Sequence, residues 1–165
     1  IEEKSKLERI PYHDFIKAAY AIACGDRTVD YGAIERYVMA IEETFDVTVL
    51  GIGYDRWNAL SSAQKWEEEG YTTVEIKQHS SVLHPPTKWL SELVSNGKFI
   101  YEKGNKLLEI NFQNARCVYD TNMNRYVNKK RSTGKIDMVV ATINAMYLLQ
   151  QDYMFNQTIN WAIQT

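Results

Sequence analysis

The sequence is poor in the residues that build disulfide scaffolds, cysteine metal centres and membrane spans. Only two cysteines occur in 165 residues, and Cys24 and Cys117 lie too far apart for a zinc-binding motif. Two isolated thiols are typical of a protein kept in a reducing cytoplasm. No apolar run approaches the roughly 18 residues that a membrane helix requires, and the acidic N-terminus lacks the features of a secretory signal. We therefore expect a cytoplasmic protein without a membrane partner.

The chain also lacks a strong net charge and a nucleotide-binding loop. Its formal net charge is −2, so any contact with nucleic acid must come from a local basic patch. No GxxxxGK(S/T) motif occurs, which argues against nucleoside-triphosphate hydrolysis by this chain. The length of 165 residues and the apolar fraction of 45% predict a single domain with a substantial core. Because the sequence does not begin with Met, we expect a piece of a longer protein.

A strand, a helix and a second strand follow one another in the middle of the chain. Residues 47–54 are apolar and rich in β-branched side chains, which is typical of a strand buried on both faces. The helix predicted over residues 57–69 stops at Gly70, because glycine commonly ends helices. Residues 72–77 are predicted to form the second strand. Such a crossover implies a parallel pair within an α/β sheet.

Helices are predicted on both sides of this crossover. They cover residues 12–22, 30–45, 86–96 and 137–149. Asp30 is the predicted N-cap of the second of these helices, and the pair Pro85-Pro86 is predicted to break the chain and start the third. Residues 105–114 are ambiguous and slightly favour a helix.

A hairpin and a tail complete the expected architecture. Residues 115–119 and 126–129 are predicted strands on either side of a turn at 120–124. The weak periodicity from Asp152 onward predicts a loose C-terminal tail. We therefore divide the chain into a domain at residues 1–151 and a tail at residues 152–165.

Two aspartates lie where a divalent metal ion could be bound. Asp55 follows the strand at 47–54, and open α/β sheets bind ligands beyond the carboxyl ends of their strands. Asp137 opens the closing helix. Carboxylate oxygens suit Mg²⁺ or Mn²⁺, and two acids are a minimum for such a site. Each aspartate also has a structural alternative, Asp55 as a helix N-cap and Asp137 as a partner of the helix dipole.

A basic stretch lies directly before Asp137. No acid occurs between Asp120 and Asp137. The cations of this stretch are Arg125, Lys129, Lys130, Arg131 and Lys135. A run of charges is usually a solvated face, but its position beside a candidate metal site favours contact with phosphate.

The remaining polar candidates give weaker signals. His79 and His84 have neither nearby cysteines nor the spacing of a zinc site. Gln78 and His79 follow the second predicted strand, so they could border the same crevice as Asp55. The serines lack convincing His or Asp partners, which argues against nucleophilic catalysis.

Taken in order, these residues resemble the C-terminal nuclease domain of the large terminase subunit of tailed bacteriophages. The likeness spans roughly residues 10–150. Four regions carry it: IPY at 10–12 leading to GD at 25–26 and VDY at 29–31, IGYDRWNA at 52–59, VEIKQ at 74–78, and GKIDMVVA at 134–141. The second and fourth are fairly specific when they occur in this order and at this distance.

The resemblance implies a ribonuclease H-like fold, with a mixed sheet flanked by helices. It also implies a two-metal site, in which Asp55 and Asp137 bind Mg²⁺ or Mn²⁺ to cut concatemeric double-stranded DNA during viral DNA packaging. Lys135 is implied as a catalytic cation, and the stretch from Lys129 through Lys130 to Arg131 is implied to bind DNA. The implied partners are an upstream ATPase domain of the same polypeptide, a portal protein and a small terminase subunit, in the cytoplasm of a bacterial host.

One departure from the family concerns its first catalytic aspartate, which lies on an opening strand upstream of the segment at 10–12. Asp14 has a helical context and is a poor substitute for it. We therefore expect a truncated domain that lacks its first strands, with an incomplete metal site and weak or no cleavage by the isolated chain. The missing strands would leave an exposed sheet edge.

Two alternatives remain. The chain could be a non-catalytic DNA-binding or capsid-docking module whose acids cap helices. It could also be another ribonuclease H-like nuclease, of the resolvase or transposase type.

Overall fold

The computed structural model describes the backbone of residues 1–25 and 28–164, and their side chains apart from Asn58 and 153–164. Asp26, which belongs to the GD pair at 25–26, lies outside the described residues. In chain order the elements are α1 (Glu2–Glu8), α2 (Tyr12–Lys17), α3 (Tyr31–Met39), α4 (Ile41–Phe45), β1 (Ile52–Tyr54), α5 (Arg56–Glu68), β2 (Thr73–Glu75), α6 (Ser80–Ser95), α7 (Lys106–Asn114), β3 (Cys117–Tyr119), β4 (Arg125–Val127) and α8 (Asp137–Gln164).

The predicted parallel pair is confirmed. β1 and β2 run parallel, with Ile52 opposite Thr73 and Tyr54 opposite Glu75, and α5 connects them. The first strand is shorter and less buried than predicted from residues 47–54, since Val47 and Leu50 are 49% and 78% exposed. A strand is buried on both faces only where other elements cover both of them. An apolar sequence pattern does not show whether such elements are present along the whole run.

The antiparallel hairpin is confirmed as β3 and β4, with Val118 opposite Tyr126. In the described part of the chain the strands form two separate two-stranded sheets, rather than one continuous mixed sheet. Helix α7 matches the prediction at 105–114, because the Asn105 side chain accepts a hydrogen bond from the Leu108 amide at 3.1 Å.

Helix α8 packs closely over the parallel strands. Built on Gly53, a β-carbon would lie 2.6 Å from Ile76 Cδ1 and 3.2 Å from Leu148 Cδ1. Ile76 is almost fully buried, at 1% exposure. A glycine at this position therefore lets the helix and the neighbouring strand approach β1.

The predicted start of the helix at 86–96 is wrong. Helix α6 begins at Ser80, and the His79 side chain accepts a hydrogen bond from the Ser81 amide. Pro85 and Pro86 lie inside the helix rather than before it. An interior proline removes a helical hydrogen bond, but Pro86 is fully buried and α6 packs against α8 and β4. We infer that this packing offsets the lost bonds.

The main core lies between α6 and α8. Its buried members are Leu90, Val139, Ile143 and Met146. A second cluster joins α2 to α7 through Ile10, Phe15 and Leu107. Met138, at the start of α8, packs against this second cluster, which brings the N-terminal segment to the start of the closing helix.

The other helix boundaries differ from the predictions in detail. The helix predicted at 12–22 ends at Lys17, and Ala19 has a positive φ of 61°. The helix predicted at 30–45 divides into α3 and α4 at Ala40, while Asp30 caps α3 as expected through a 3.0 Å bond to the Ala33 amide.

Helix α8 is longer than predicted. It continues to Gln164, through the residues expected to form a loose tail from Asp152, because residues 137–164 contain neither glycine nor proline. The side chains beyond residue 152 lie outside the described set, and the division at 151/152 stays a prediction. No helix in the described ranges is both long and apolar enough to cross a membrane.

Candidate active site at the carboxyl ends of the parallel strands

Asp55 lies at the point where β1 ends and α5 begins. The carbonyl of Tyr54 accepts a hydrogen bond from the Ile76 amide at 2.8 Å, so the parallel ladder reaches this end of the strand. The Asp55 side chain is exposed and its Oδ1 accepts a weak bond from the Trp57 amide at 3.4 Å. The capping role is therefore present, but it uses only one of the two carboxylate oxygens.

Helix α8 runs antiparallel to β1 and β2, and its N-terminal part extends beyond their carboxyl ends. Its residue Leu148 lies over Gly53 within the sheet, whereas Asn144 Oδ1 lies 3.4 Å from Gln78 Nε2, beyond the end of β2. The N-terminus of α8 therefore points away from the strands on the same side as their carboxyl ends. Gln78 thus contacts α8 beyond the end of β2, and its position beside Asp55 stays a prediction.

Asp137 lies at that N-terminus. It precedes Asn144 by seven residues, which is a rise of about 10 Å along a helix. Both aspartates consequently occupy the same end of the fold. Among the residues described, no hydrogen bond or ion pair joins Asp55 to Asp137 directly.

The Asp137 carboxylate faces a lysine rather than a backbone amide. Lys129 Nζ lies 3.4 Å from Asp137 Oδ1, and both side chains are about two-thirds exposed (67% and 64%). The amide of Met138, the next residue of α8, is instead bound by Asn111 Oδ1 at 3.2 Å. The buried side chain of Asn111, on α7, thus caps α8. The Asp137 carboxylate is favoured at this position by the helix dipole.

Lys135 is held by a network that the sequence did not reveal. Its Nζ lies 3.1 Å from Oε1 of Glu8, whose side chain is only 12% exposed. The Tyr12 hydroxyl donates to Oε2 of the same carboxylate. Burial first, and then this bond to Glu8, raise the pKa of Tyr12, with a smaller contribution from the charge of Asp137. A phosphate at Lys135 would therefore compete with Glu8 for the ammonium.

The predicted DNA-binding stretch forms a tight turn between β4 and α8. Lys129, Lys130 and Arg131 are all exposed. The Arg131 amide donates to the Asn128 side chain at 3.1 Å, which fixes the turn. Within the described part of the chain, neither Lys130 nor Arg131 forms an ion pair, so both charges face solvent beside Asp137.

The remaining polar candidates have structural partners. His79 Nδ1 contacts the Ser81 hydroxyl at 2.8 Å, and His84 Nδ1 accepts the Arg125 amide at 2.7 Å. Asp120, which the sequence did not single out, accepts a bond from the Ser80 hydroxyl at 2.6 Å. This bond, followed by those from Asn124, lowers the pKa of Asp120. These contacts attach the hairpin to the start of α6.

Metal binding is limited by the number of ligands. Asp55 and Asp137 offer hard oxygen atoms of the type that Mg²⁺ and Mn²⁺ prefer. No group of three or more His, Cys, Asp or Glu side chains is arranged to hold a metal ion in the portion of the chain with described side chains. The donor chemistry fits such an ion, while the side chains that the structure describes do not form a complete ligand set.

The chain is similar to known proteins over most of its length. The sequence model of the family described as terminase large subunit, endonuclease domain, matches residues 1–152. The large terminase subunit of Enterobacteria phage HK97 is 27% identical over 143 residues, which are 86% of this chain and 28% of that protein. The crystal structure of the HK97 bacteriophage large terminase superposes with a TM-score of 0.77 and 26% identity, over 89% of this chain and 30% of that chain. The chain therefore spans less than a third of the length of either relative.

Proposed function

Because the chain belongs to the family of terminase large subunit endonuclease domains, we propose that it provides the site at which a DNA-packaging terminase hydrolyses phosphodiester bonds. The substrate in this proposal is concatemeric double-stranded DNA. What supports the proposal is the placement of Asp55 and Asp137 at one end of the fold, inferred from the contacts of α8 with the strand ends, beside an exposed cationic turn.

We propose that Asp55 and Asp137 hold Mg²⁺ or Mn²⁺. A bound divalent ion at such a site supplies Lewis acidity, which lowers the pKa of a water nucleophile and stabilises a departing oxygen. The described side chains contribute two carboxylates, so we expect weak metal affinity and slow or absent cleavage by this chain alone. The incomplete ligand set within the described residues supports this expectation.

The basic turn is proposed to position the DNA. Lys129, Lys130 and Arg131 are exposed and lie directly before the helix that carries Asp137. Contacts from these cations to phosphate oxygens would fix the duplex without reading its sequence. Lys135 is proposed to neutralise phosphate charge nearby, which requires it to exchange its present partner, Glu8.

The assembly around the site is also a proposal. The HK97 relative is more than three times as long as the matched region, which leaves room for an ATPase domain in the same polypeptide. We propose that this domain, a portal protein and a small terminase subunit are the protein partners. We further propose that additional strands complete β1 and β2 into a ribonuclease H-like mixed sheet.

Metal-dependent stabilisation tests the proposed site. At a Mn²⁺ concentration ten times its dissociation constant, binding stabilises the folded state by about 1.4 kcal/mol, which raises Tm by about 3–6 °C in a chain of this size. We expect Asp55→Asn and Asp137→Asn each to remove most of this shift. Asp14→Asn changes an exposed aspartate on α2 and should leave it intact.

Plasmid nicking in Mn²⁺ gives a second measurement on the same variants. Any nicking by the wild-type chain should be lost in Asp55→Asn and Asp137→Asn and kept in Asp14→Asn. Equal Mn²⁺ shifts in all four proteins would refute the metal site.

A structural role for the acids predicts a different pattern. Asp55 accepts a bond from the Trp57 amide and Asp137 pairs with Lys129, so a non-catalytic DNA-binding or docking module remains a specific competitor. In that case the two substitutions would lower Tm without metal, and Mn²⁺ would have no effect. The nuclease proposal instead expects Mn²⁺ to raise the Tm of the wild type and not that of the two variants, whatever the loss of these contacts costs without metal.

A further inference from the structure

Trp57 is an exposed tryptophan beside the proposed metal site. It lies in the first turn of α5, two residues after Asp55, and its backbone amide is 3.4 Å from Asp55 Oδ1. Its exposed fraction is 88%. Tryptophan is a large apolar side chain that is enriched at interfaces, so an indole left in water at this position requires an explanation.

The surroundings of Trp57 form a shallow depression between α3 and α5. The depression has a volume of about 370 Å³, and its lining includes Tyr31, Arg56, Leu60 and Lys65. At its base the buried Glu35 carboxylate accepts hydrogen bonds from the Ser62 hydroxyl at 2.7 Å and from the Lys65 ammonium at 2.8 Å.

The charge of this surface suits a polyanion. Among the described residues that line the depression, Glu35 is the one carboxylate, and Lys65 already neutralises it, whereas Arg56 is exposed at the rim. Protein–protein interfaces are also enriched in Trp and Arg, so these two residue types by themselves fit either class of partner. Surfaces that bind nucleic acid use the same pair, with the cation on phosphate and the ring on bases or sugars, and the position beside the proposed nuclease site favours this class.

Adjacency to the proposed site favours DNA as the occupant. Arg56 and Trp57 follow Asp55 directly and are both exposed, so a phosphate of the cleaved strand at Asp55 would bring the flanking nucleotides near them. The minor groove of B-DNA is only about 6 Å wide, so a side chain this close to the backbone can reach the sugars and base edges. Apolar side chains are known to enter this groove.

We propose that Trp57 and Arg56 form a second DNA contact, in which Arg56 binds a phosphate next to the cleaved bond and the Trp57 ring packs on the neighbouring sugar and base edge. This inference rests on the proposed nuclease function and extends it. The contact holds the duplex at Asp55 from the side of α5, while the basic turn holds it from the side of Asp137.

Binding of a labelled 30-base-pair duplex of mixed sequence, without divalent ions, tests the contact. We expect Trp57→Ala to weaken binding about 5- to 20-fold, in line with the effect of removing an aromatic–base contact, and Trp57→Phe to retain most of the affinity. Arg56→Gln should weaken binding and reduce the slope of log K against log salt concentration by about one. Ile100→Ala, at a side chain that is 90% exposed in the loop between α6 and α7, is the matched control.

Fluorescence provides an independent measurement on the same proteins. Titration with the duplex should quench tryptophan emission in the wild-type chain and quench it much less in Trp57→Phe. Unchanged affinity in Trp57→Ala would overturn the proposal and point to a protein domain as the partner of this surface. A wild-type chain that does not bind the duplex would overturn it together with the proposed DNA contact of the basic turn. Mn²⁺ should raise the Tm of Trp57→Ala as much as that of the wild type. Failure of the Trp57 contact is therefore distinguishable from failure of the metal site.

Discussion

Asn111→Ala removes the side chain that joins α7 to the start of α8. Asn111 is 3% exposed. Its Oδ1 accepts the Met138 amide at 3.2 Å, and its Nδ2 donates to the Leu107 carbonyl at 2.9 Å. The first of these bonds satisfies an amide at the N-terminus of α8, which has no partner within its own helix.

The expected cost follows from these two bonds. Loss of a side-chain cap typically costs about 1 kcal/mol and up to about 2 kcal/mol. Loss of the bond to Leu107 adds about 0.5–1.5 kcal/mol. The sum is about 1.5–3.5 kcal/mol, which corresponds to a decrease in Tm of about 3–14 °C for a chain of this length.

Thermal unfolding followed by circular dichroism measures this change. Gln113→Ala is the matched control, because Gln113 lies on the same helix and is exposed, and its Tm should change by less than about 2 °C. We also expect Mn²⁺ to raise the Tm of Asn111→Ala less than that of the wild type, since the cap holds the helical turn that carries Asp137. A decrease in Tm no larger than that of the control would refute the reasoning, because it would mean that the Met138 amide does not depend on Asn111.

Two further predictions concern the core. Gly53→Ala places a methyl group 2.6 Å from the end of the Ile76 side chain, so overpacking should cost about 1–3 kcal/mol, measurable as a lower denaturant midpoint; a midpoint equal to the wild type would show that Ile76 can move aside. Glu35→Gln tests a buried carboxylate whose pKa is lowered from its ordinary value, chiefly by the hydrogen bond from Lys65. A lowered pKa in the folded state stabilises the protein above the unfolded pKa of about 4.3, and this contribution is lost as the pH falls through the folded pKa. Glu35→Gln should therefore have a lower Tm than the wild type at pH 7, and the difference should shrink as the pH falls below about 4; a difference independent of pH would contradict this account.

Local patterns in the sequence predicted several elements correctly. The crossover helix and its two parallel strands follow from short apolar runs and from Gly70, which has a φ of 93° after α5. Asp30 caps α3 as predicted. The hairpin follows from strand-forming residues on both sides of a polar turn. Each of these signals acts over a few residues, so it can be recognised without knowledge of the rest of the chain.

Other local rules were overridden by packing. The proline rule placed the start of a helix after Pro85-Pro86, but α6 begins at Ser80 because His79 caps it and Pro86 is buried in its packing interface. The apolar run at 47–54 predicted a long buried strand, yet only Ile52–Tyr54 pairs with β2. The cap at His79 is local, whereas the packing of α6 against α8 and β4 and the pairing of β1 with β2 depend on residues distant in sequence.

The candidate site shows the same division between sequence and tertiary structure. The positions of Asp55 after a strand and of Asp137 at a helix start could be predicted from local patterns, together with the basic turn. The partners of these residues could not, since Glu8 meets Lys135 and Asn111 meets the Met138 amide across separations of 127 and 27 residues. The sequence by itself therefore determined which residues carry the charge and on which elements they lie. Only the folded chain decided which charges are neutralised and which face solvent, because that depends on contacts made when distant segments pack together.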